Sequence, residues 1–267
     1  MVNIIVAGAA GRMGSRIITL AKDSSEIRLR GALENKNHPA QGKDIGEVIG
    51  IGPAGVALTD SIKKITGKAD VIIDFSSTSA TVECLKLLSE KPVPAVIGTT
   101  GFSSDETGYI NLYAQKVPCV LAPNMSVGVN LLLKILSDIA KTTGDDYDVE
   151  IIEAHHRMKK DAPSGTAMKM AQVIAASLNR DLEETAVYAR HGLIGERSRK
   201  EIGIQTIRAG DIVGEHTVIF GTPGERIEIT HKASSRDTFA RGALKAALWV
   251  YKQTPGLYDM QDVLGLK

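Results

Sequence analysis

A chain of 267 residues accommodates one large domain or two small ones and is long enough to bury a proper core. Its 32 basic and 31 acidic residues leave a net charge of +1, so nothing in the balance calls for nucleic acid or an anionic membrane surface. Aromatic residues at 4% argue against a single-strand stacking platform, and no apolar run approaches the ~18 residues that span a bilayer.

The first segment, Met1-Val2-Asn3-Ile4-Ile5-Val6, reads as a strand and lacks the basic start and cleavage site of a signal peptide. The run from Val2 to Ala7 is continuously apolar, as expected of a strand buried on both faces. Met13, Ile17, Leu20 and Ala21 recur at helical spacing, and Ile27 to Leu33 reads as a second strand. A glycine-rich stretch from Asn35 to Gly55 reads as a long loop with short elements. Val71 to Phe75, Ala95 to Ile97 and Val117 to Leu121 are short apolar strands, separated by helix-like segments at Ser79 to Ser89 and Ser103 to Lys116. Repeated βα units of this kind predict a Rossmann-like, doubly wound parallel sheet. Cys84 and Cys119 sit in apolar surroundings without ligand spacing and read as buried, reduced thiols of a cytosolic protein.

The pattern changes after Asn124. A helix from Val127 to Lys141 leads into an alternating strand, Asp148 to Ala154, and a second helix runs from Ser164 to Leu178. Three more alternating strands follow: Ile202 to Arg208, Glu215 to Phe220 and Arg226 to His231. Arg226-Ile227-Glu228-Ile229-Thr230 alternates cleanly, which predicts a sheet with one packed face. Phe239 to Tyr251 is a closing helix. The chain therefore reads as an α/β domain over residues 1–126 and 237–267, with an α+β domain of mixed open sheet inserted at 127–236. The uncovered face of that sheet is the expected surface for oligomerisation.

Between the first strand and first helix lies Val6-Ala7-Gly8-Ala9-Ala10-Gly11-Arg12-Met13-Gly14. Gly8 suits the tight turn, Gly11 lets backbone approach a pyrophosphate, and Gly14 permits close helix–sheet packing. The helix N-terminus supplies N–H groups and a positive dipole end. The spacing is G-x-x-G-x-x-G rather than G-x-G-x-x-G, but the strand before, the helix after and Glu34 twenty positions beyond Gly14 strengthen the reading. A carboxylate there accepts hydrogen bonds from ribose hydroxyls. Glu34 alone favours NADH, whereas Lys36, His38 and Arg12 could neutralise the 2′-phosphate of NADPH; both cofactors stay open, with NADH slightly favoured. Asp74-Phe75-Ser76 and Gly98-Thr99-Thr100-Gly101 end predicted strands, where ligands bind in such sheets.

The densest polar stretch is Glu153-Ala154-His155-His156-Arg157-Met158-Lys159-Lys160-Asp161-Ala162-Pro163-Ser164-Gly165-Thr166. Five basic or imidazole side chains fall within six positions, directly before a helix. Ser164 is a good N-cap, and the N–H groups of Gly165 and Thr166 would face an incoming anion. The cluster thus combines a carboxylate cradle with proton donors. If the strand persists, His155 and His156 face opposite ways, so at most one is the central acid. Solvated surface histidines, a phosphate patch and a metal site are competing readings. The last is disfavoured because His-Glu-x-x-His is absent and adjacent strand histidines chelate poorly.

Taken together, Gly8-Ala-Ala-Gly-Arg-Met-Gly14, Gly98-Thr-Thr-Gly-Phe102, Asn124-Met-Ser-Val-Gly-Val-Asn130 and the His155 segment closely resemble the dihydrodipicolinate (4-hydroxy-tetrahydrodipicolinate) reductase family. Arg208-Ala-Gly-Asp-Ile-Val-Gly-Glu-His216 and His231-Lys-Ala-Ser-Ser-Arg236 extend the resemblance over the whole chain. It implies an NAD(P)H-dependent reduction, with loss of water, of a cyclic imine bearing two carboxylates and a 4-hydroxyl, in lysine and diaminopimelate biosynthesis. Dinucleotide contacts are implied at Gly8, Ala9, Ala10, Gly11, Arg12 and Met13, at Glu34, at Gly98, Thr99 and Thr100, and at Ala122, Pro123, Asn124 and Met125. The implied catalytic acid is His155 and the proton-donating lysine Lys159; implied substrate contacts are His156, Gly165 and Thr166, with no metal. A cytoplasmic homotetramer joined through the sheets of the second domain is also implied. Asn35 departs from the arginine that many members carry after the ribose-binding glutamate, and Met158 stands where some have a polar residue. Neighbouring cations are expected to lower the pKa of both His155 and Lys159, and closure between the domains is expected before transfer. An aspartate- or homoserine-type dehydrogenase and a non-catalytic NAD(P)H sensor are the rival readings; neither needs the acid cluster together with the carboxylate cradle.

Overall fold

The computed structural model describes residues 1–267, except the side chain of Thr66. Two compact units emerge: Met1–Val127 with Arg236–Lys267, and Gly128–Ser235.

The first unit opens with β1 (Val2–Ala7), α1 (Arg12–Lys22), β2 (Ile27–Leu33), α2 (Ile45–Val48) and β3 (Leu58–Thr59). It continues with β4 (Val71–Asp74), α3 (Thr78–Leu87), β5 (Ala95–Ile97), α4 (Ser104–Ala114) and β6 (Pro118–Leu121). The second unit takes α5 (Val127–Thr143, its first residue lying in the first unit), β7 (Asp148–His155), α6 (Gly165–Ser177), α7 (Leu182–Thr185) and β8 (Ala186–Val187). It ends with β9 (Ile202–Arg208), β10 (Gly214–Thr222) and β11 (Glu225–Ala233). The chain then returns to the first unit as α8 (Asp237–Val250), β12 (Gly256–Tyr258) and α9 (Met260–Leu264).

In the first unit seven strands run in the order β12-β6-β5-β4-β1-β2-β3, all pairs parallel. The apolar runs form strands because helices cover both faces. Val2, Ile4, Val6, Ile73, Val96 and Val120 pack under α1 and α8, and Ile5, Ile72, Ala95, Ile97 and Cys119 pack under α3 and α4. Strand order reverses between β1 and β4, so the loops leaving both strands open a crevice at one sheet edge. Both cysteines are free and buried, and burial pushes each thiol up to about 12.

The second unit is a five-stranded mixed sheet, β11-β10-β7-β9-β8, antiparallel on the β10 side and parallel on the β9 side. Alternation on β7 buries Val149, Ile151, Glu153 and His155 on one face, where α5 and α6 contribute Leu132, Leu136, Met170 and Ile174 to the core. The expectation of a packed face fails along most of β11. Ile229 reaches the core, but Ile227 is 39% exposed, because α6 packs over β7 and β9 and leaves β11 at the edge. Among the described residues no helix is long and apolar enough to cross a membrane.

Candidate active site

At the carboxyl edge of the parallel sheet, Gly8 adopts φ +70°, and a Cβ on it would lie 2.6 Å from the Phe75 carbonyl oxygen. A Cβ on Gly14 would lie 2.1 Å from the Gly8 oxygen, so the helix closes on the turn only with glycine there. Gly11 N–H donates to the Gly8 carbonyl at 3.0 Å and Gly11 heads α1 without a side chain over its end. The first N–H groups of an 11-residue helix thus face the crevice, the donor set a pyrophosphate needs. Glu34 closes the loop from β2: its carboxylate accepts from Ala10 N–H at 3.1 Å and Asn35 N–H at 2.9 Å.

The neighbouring loops are built by one buried carboxylate. Asp74 accepts from Ser76 Oγ at 2.6 Å, Ser76 N–H at 2.9 Å and Thr99 Oγ1 at 3.2 Å. Burial pushes its carboxyl above the usual range, against the pull of those bonds. The Phe75 ring lies on Gly98, where a Cβ would approach it to 2.2 Å. These contacts sort the residues expected to touch the cofactor. Gly11, Arg12, Thr100 and Pro123 are exposed, and Gly8, Ala10, Met13, Glu34, Gly98 and Asn124 are half-buried. Ala9 has no exposed surface and its N–H donates to the Leu33 carbonyl at 3.1 Å. Ala122 and Met125 belong to the core, and Thr99 faces inward to Asp74.

In the second unit β7 ends at His155, and His156 leaves the strand half-buried as the polar loop begins. His155 is on the covered face. Its Nδ1 lies 2.6 Å from Glu153 Oε2, and its ring meets His216 edge-on at 5.3 Å between centroids. A Cβ on Gly214 would come within 3.1 Å of His155 Nε2, so the glycine keeps that nitrogen uncrowded. Burial is the largest influence on His155 and pushes its pKa below the ordinary value; Glu153 pulls it up, and Lys159 and Arg208 push it down. For His155 the expected lowering is present, with burial ahead of the cations. Lys159 Nζ pairs with the Asp161 carboxylate at 2.9 Å.

Glu153 itself is fully buried. Besides His155 it accepts from Arg208 Nη1 at 2.9 Å and Nη2 at 2.8 Å, from Ser164 N–H at 3.0 Å and from Thr206 Oγ1 at 3.3 Å. Burial alone would raise its carboxyl; the bonds from Arg208 and His155 hold it below the usual range. Ser164 caps α6 by accepting from Ala167 N–H at 3.2 Å, and its Oγ meets His216 Nε2 at 3.1 Å. Gly165 and Thr166 are the first two residues of this 13-residue helix. The structure therefore brings His155 and the head of α6 together around Glu153, with Lys159 and His156 on the loop that joins them. Sequence reasoning assigned no part to Glu153, Arg208 or His216. Glu153 was within reach, because it shares His155's face of an alternating strand and a buried carboxylate needs partners. Arg208 comes into place only through β7–β9 pairing, in which it stands opposite His155.

Models of known families match both parts: "Dihydrodipicolinate reductase, N-terminus" over residues 2–125, and "Dihydrodipicolinate reductase, C-terminus" over residues 128–264. The 4-hydroxy-tetrahydrodipicolinate reductase of Syntrophus aciditrophicus (strain SB) is 59% identical over 267 residues, covering 100% of both chains. The chain belongs to the dihydrodipicolinate reductase family. A second family member of the same name, from Syntrophobacter fumaroxidans, is 55% identical over 100% of both chains. Among solved structures, a dipicolinate-bound dihydrodipicolinate reductase from Paenisporosarcina sp. TG-14 has a TM-score of 0.78 at 26% identity, covering 98% of each chain. An amine dehydrogenase from Mycobacterium smegmatis shares the fold alone, with a TM-score of 0.59 at 14% identity over 96% of this chain and 94% of that one. As a dihydrodipicolinate reductase family member the chain is an oxidoreductase with a Rossmann-type unit for a nicotinamide dinucleotide.

Proposed function

We propose that this chain reduces 4-hydroxy-tetrahydrodipicolinate to tetrahydrodipicolinate, with loss of water, in lysine and diaminopimelate biosynthesis. The observation that carries the reading is the pairing of a buried imidazole with the head of α6: His155 and Ser164 share the Glu153 carboxylate. Full-length relatives of that name at 59% and 55% identity support it.

The unit Met1–Val127 with Arg236–Lys267 is the proposed dinucleotide-binding domain, and Gly128–Ser235 the proposed substrate and tetramerisation domain. The turn from Gly8 to Gly11 lies against the pyrophosphate, and the Arg12 and Met13 N–H groups at the head of α1 hold it, since those of Ala9, Ala10 and Gly11 are bonded within the protein. Glu34 receives ribose hydroxyls. Gly98, Thr100, Pro123 and Asn124 line the nicotinamide half, with Ala9, Thr99, Ala122 and Met125 packed behind them. Loss of the 4-hydroxyl as water leaves a conjugated imine that is electrophilic at C4, and a bound dihydronicotinamide would supply the hydride there. His156 and the N–H groups of Gly165 and Thr166 hold the substrate carboxylates, which the helix dipole favours. The reduced enamine needs a proton at C3, which His155 or Lys159 delivers, and general-acid help of this kind is worth roughly 10²–10⁴-fold.

Both NADH and NADPH serve, NADH slightly better. Glu34 opposes a 2′-phosphate, and His38 Nδ1 is engaged as an acceptor from Ala40 N–H at 3.2 Å, which leaves Lys36 and Arg12 as the compensating cations. The protein is proposed to work in the cytoplasm as a homotetramer, and apolar surface on the second unit supports the assembly: Leu193 is 107% exposed, Ile194 55% and Ile207 47%. The test is the loss of reduced-nucleotide absorbance when dihydrodipicolinate synthase generates the substrate in situ. Turnover with NADH and, more weakly by kcat/KM, with NADPH is expected. Tight NADH binding without turnover would overturn the reading in favour of a nucleotide sensor.

A further inference from the structure

The Glu153 carboxylate is the most heavily bonded side chain in the second unit's site. It is fully buried and takes five hydrogen bonds from four residues: Arg208 as a two-pronged donor, and His155, Ser164 and Thr206. A carboxylate accepts only, so Nδ1 of His155 at 2.6 Å must carry the proton between them. That leaves Nε2 as the nitrogen that exchanges protons, and Nε2 is the one Gly214 leaves uncrowded. Oε1 of the same carboxylate receives Ser164 N–H, the residue that caps α6. Arg208 completes the frame: Nη2 also donates to the Asp161 carbonyl at 2.7 Å, in the loop between Lys159 and Ser164.

We propose that Glu153, seated on Arg208, is a positioning residue for the reduction: it fixes the tautomer of His155 and locks that imidazole to the head of α6. One rigid acceptor then sets the distance between the proton-handling nitrogen and the helix end that holds a substrate carboxylate. The inference rests on the reading of His155 as a proton carrier. The charges facing His155 are Glu153 on its own strand, Lys159 on the loop and Arg208 on β9, with the His216 imidazole on β10. When His155 takes a second proton at Nε2, Glu153 alone among these stabilises the cation. A reaction that needs imidazolium loses rate as pH rises through that titration. Removing the Glu153 charge moves the limb to lower pH.

The test combines the tautomer with a mutant cycle in the full-length protein. Long-range ¹H–¹⁵N spectra of the ¹⁵N-labelled wild type, with His155 identified by the signal lost in His155→Ala, are expected to show Nδ1 protonated and Nε2 bare. Glu153→Gln is expected to lose that tautomer and lower kcat by about 10²-fold or more, as removal of a histidine-orienting carboxylate does elsewhere. NADH affinity stays unchanged, the low-pH shift of the limb appears, and Glu153→Asp recovers part of the rate. In a His155→Ala background the same glutamine change costs little further, because the two residues act as a unit. A bare Nδ1 in the wild type overturns the proposal even if the variants fold poorly. So does an equal loss in both backgrounds. If His155→Ala alone keeps the wild-type kcat, His155 as proton carrier fails instead, a result distinct from either.

Discussion

At the scale of single residues, Gly14 and Gly98 show how little freedom the nucleotide cradle has. Gly14→Ala would push a methyl to 2.1 Å from a backbone oxygen, which cannot swing away as a side-chain end can. Overpacking of this kind costs about 1–3 kcal/mol, so a lower thermal midpoint is expected together with at least tenfold weaker NADH binding by fluorescence titration. An unchanged nucleotide affinity would mean that α1 does not close on the Gly8 turn. The glycines were legible because each needs a local reason, a positive φ or a close approach, that spacing around a strand–helix junction reveals. Ala9 and Thr99 were not, since a motif names neighbours in sequence and cannot say which of them turns inward. Glu153 and Arg208 lie 55 positions apart, and only strand pairing joins them.

At the scale of elements, the α6 head depends on Ser164. Ser164→Ala removes the cap on Ala167 N–H and the contact with His216, for which about 1 kcal/mol of stability is expected to be lost in urea unfolding. With the helix end frayed, KM for the substrate rises while NADH affinity stays. His216 gives the same element a pH signature. Burial, then the nearby His155, lowers its pKa to about 4 from the ordinary 6.5. As pH falls, the unfolded chain takes up that proton first. The stabilisation is whole above about pH 6.5 and is lost progressively down to about pH 4, roughly 3 kcal/mol in all. Comparing urea midpoints at pH 7 and pH 4.5, the wild type should lose more than His216→Gln; equal losses would refute the assignment. Long elements with a clear period, α1, α5, β7 and β10, could be read directly from the sequence. β3, β8 and β12 are two or three residues long and show no period. The alternation of β11 is genuine but describes an edge strand, where one inward isoleucine reaches the core and the next does not.

At the scale of the whole molecule, the return of α8 to the first unit was visible as an apolar helix after the last alternating strand. It is held by α1 contacts and by the Arg16–Asp237 ion pair at 2.7 Å. The apolar residues left uncovered on the second unit predict assembly. Ile207→Asp is expected to halve or quarter the sedimenting mass, and an unaltered mass would place the interface elsewhere. In the proposed division of labour the first unit binds the nucleotide, and the cluster from His155 to Thr166 carries the proton chemistry and holds the substrate. The most direct test is kcat and NADH affinity measured together on His155→Ala/Lys159→Ala. The kcat is expected to fall by at least about 10²-fold while NADH binds as in the wild type; turnover at the wild-type rate would contradict these roles.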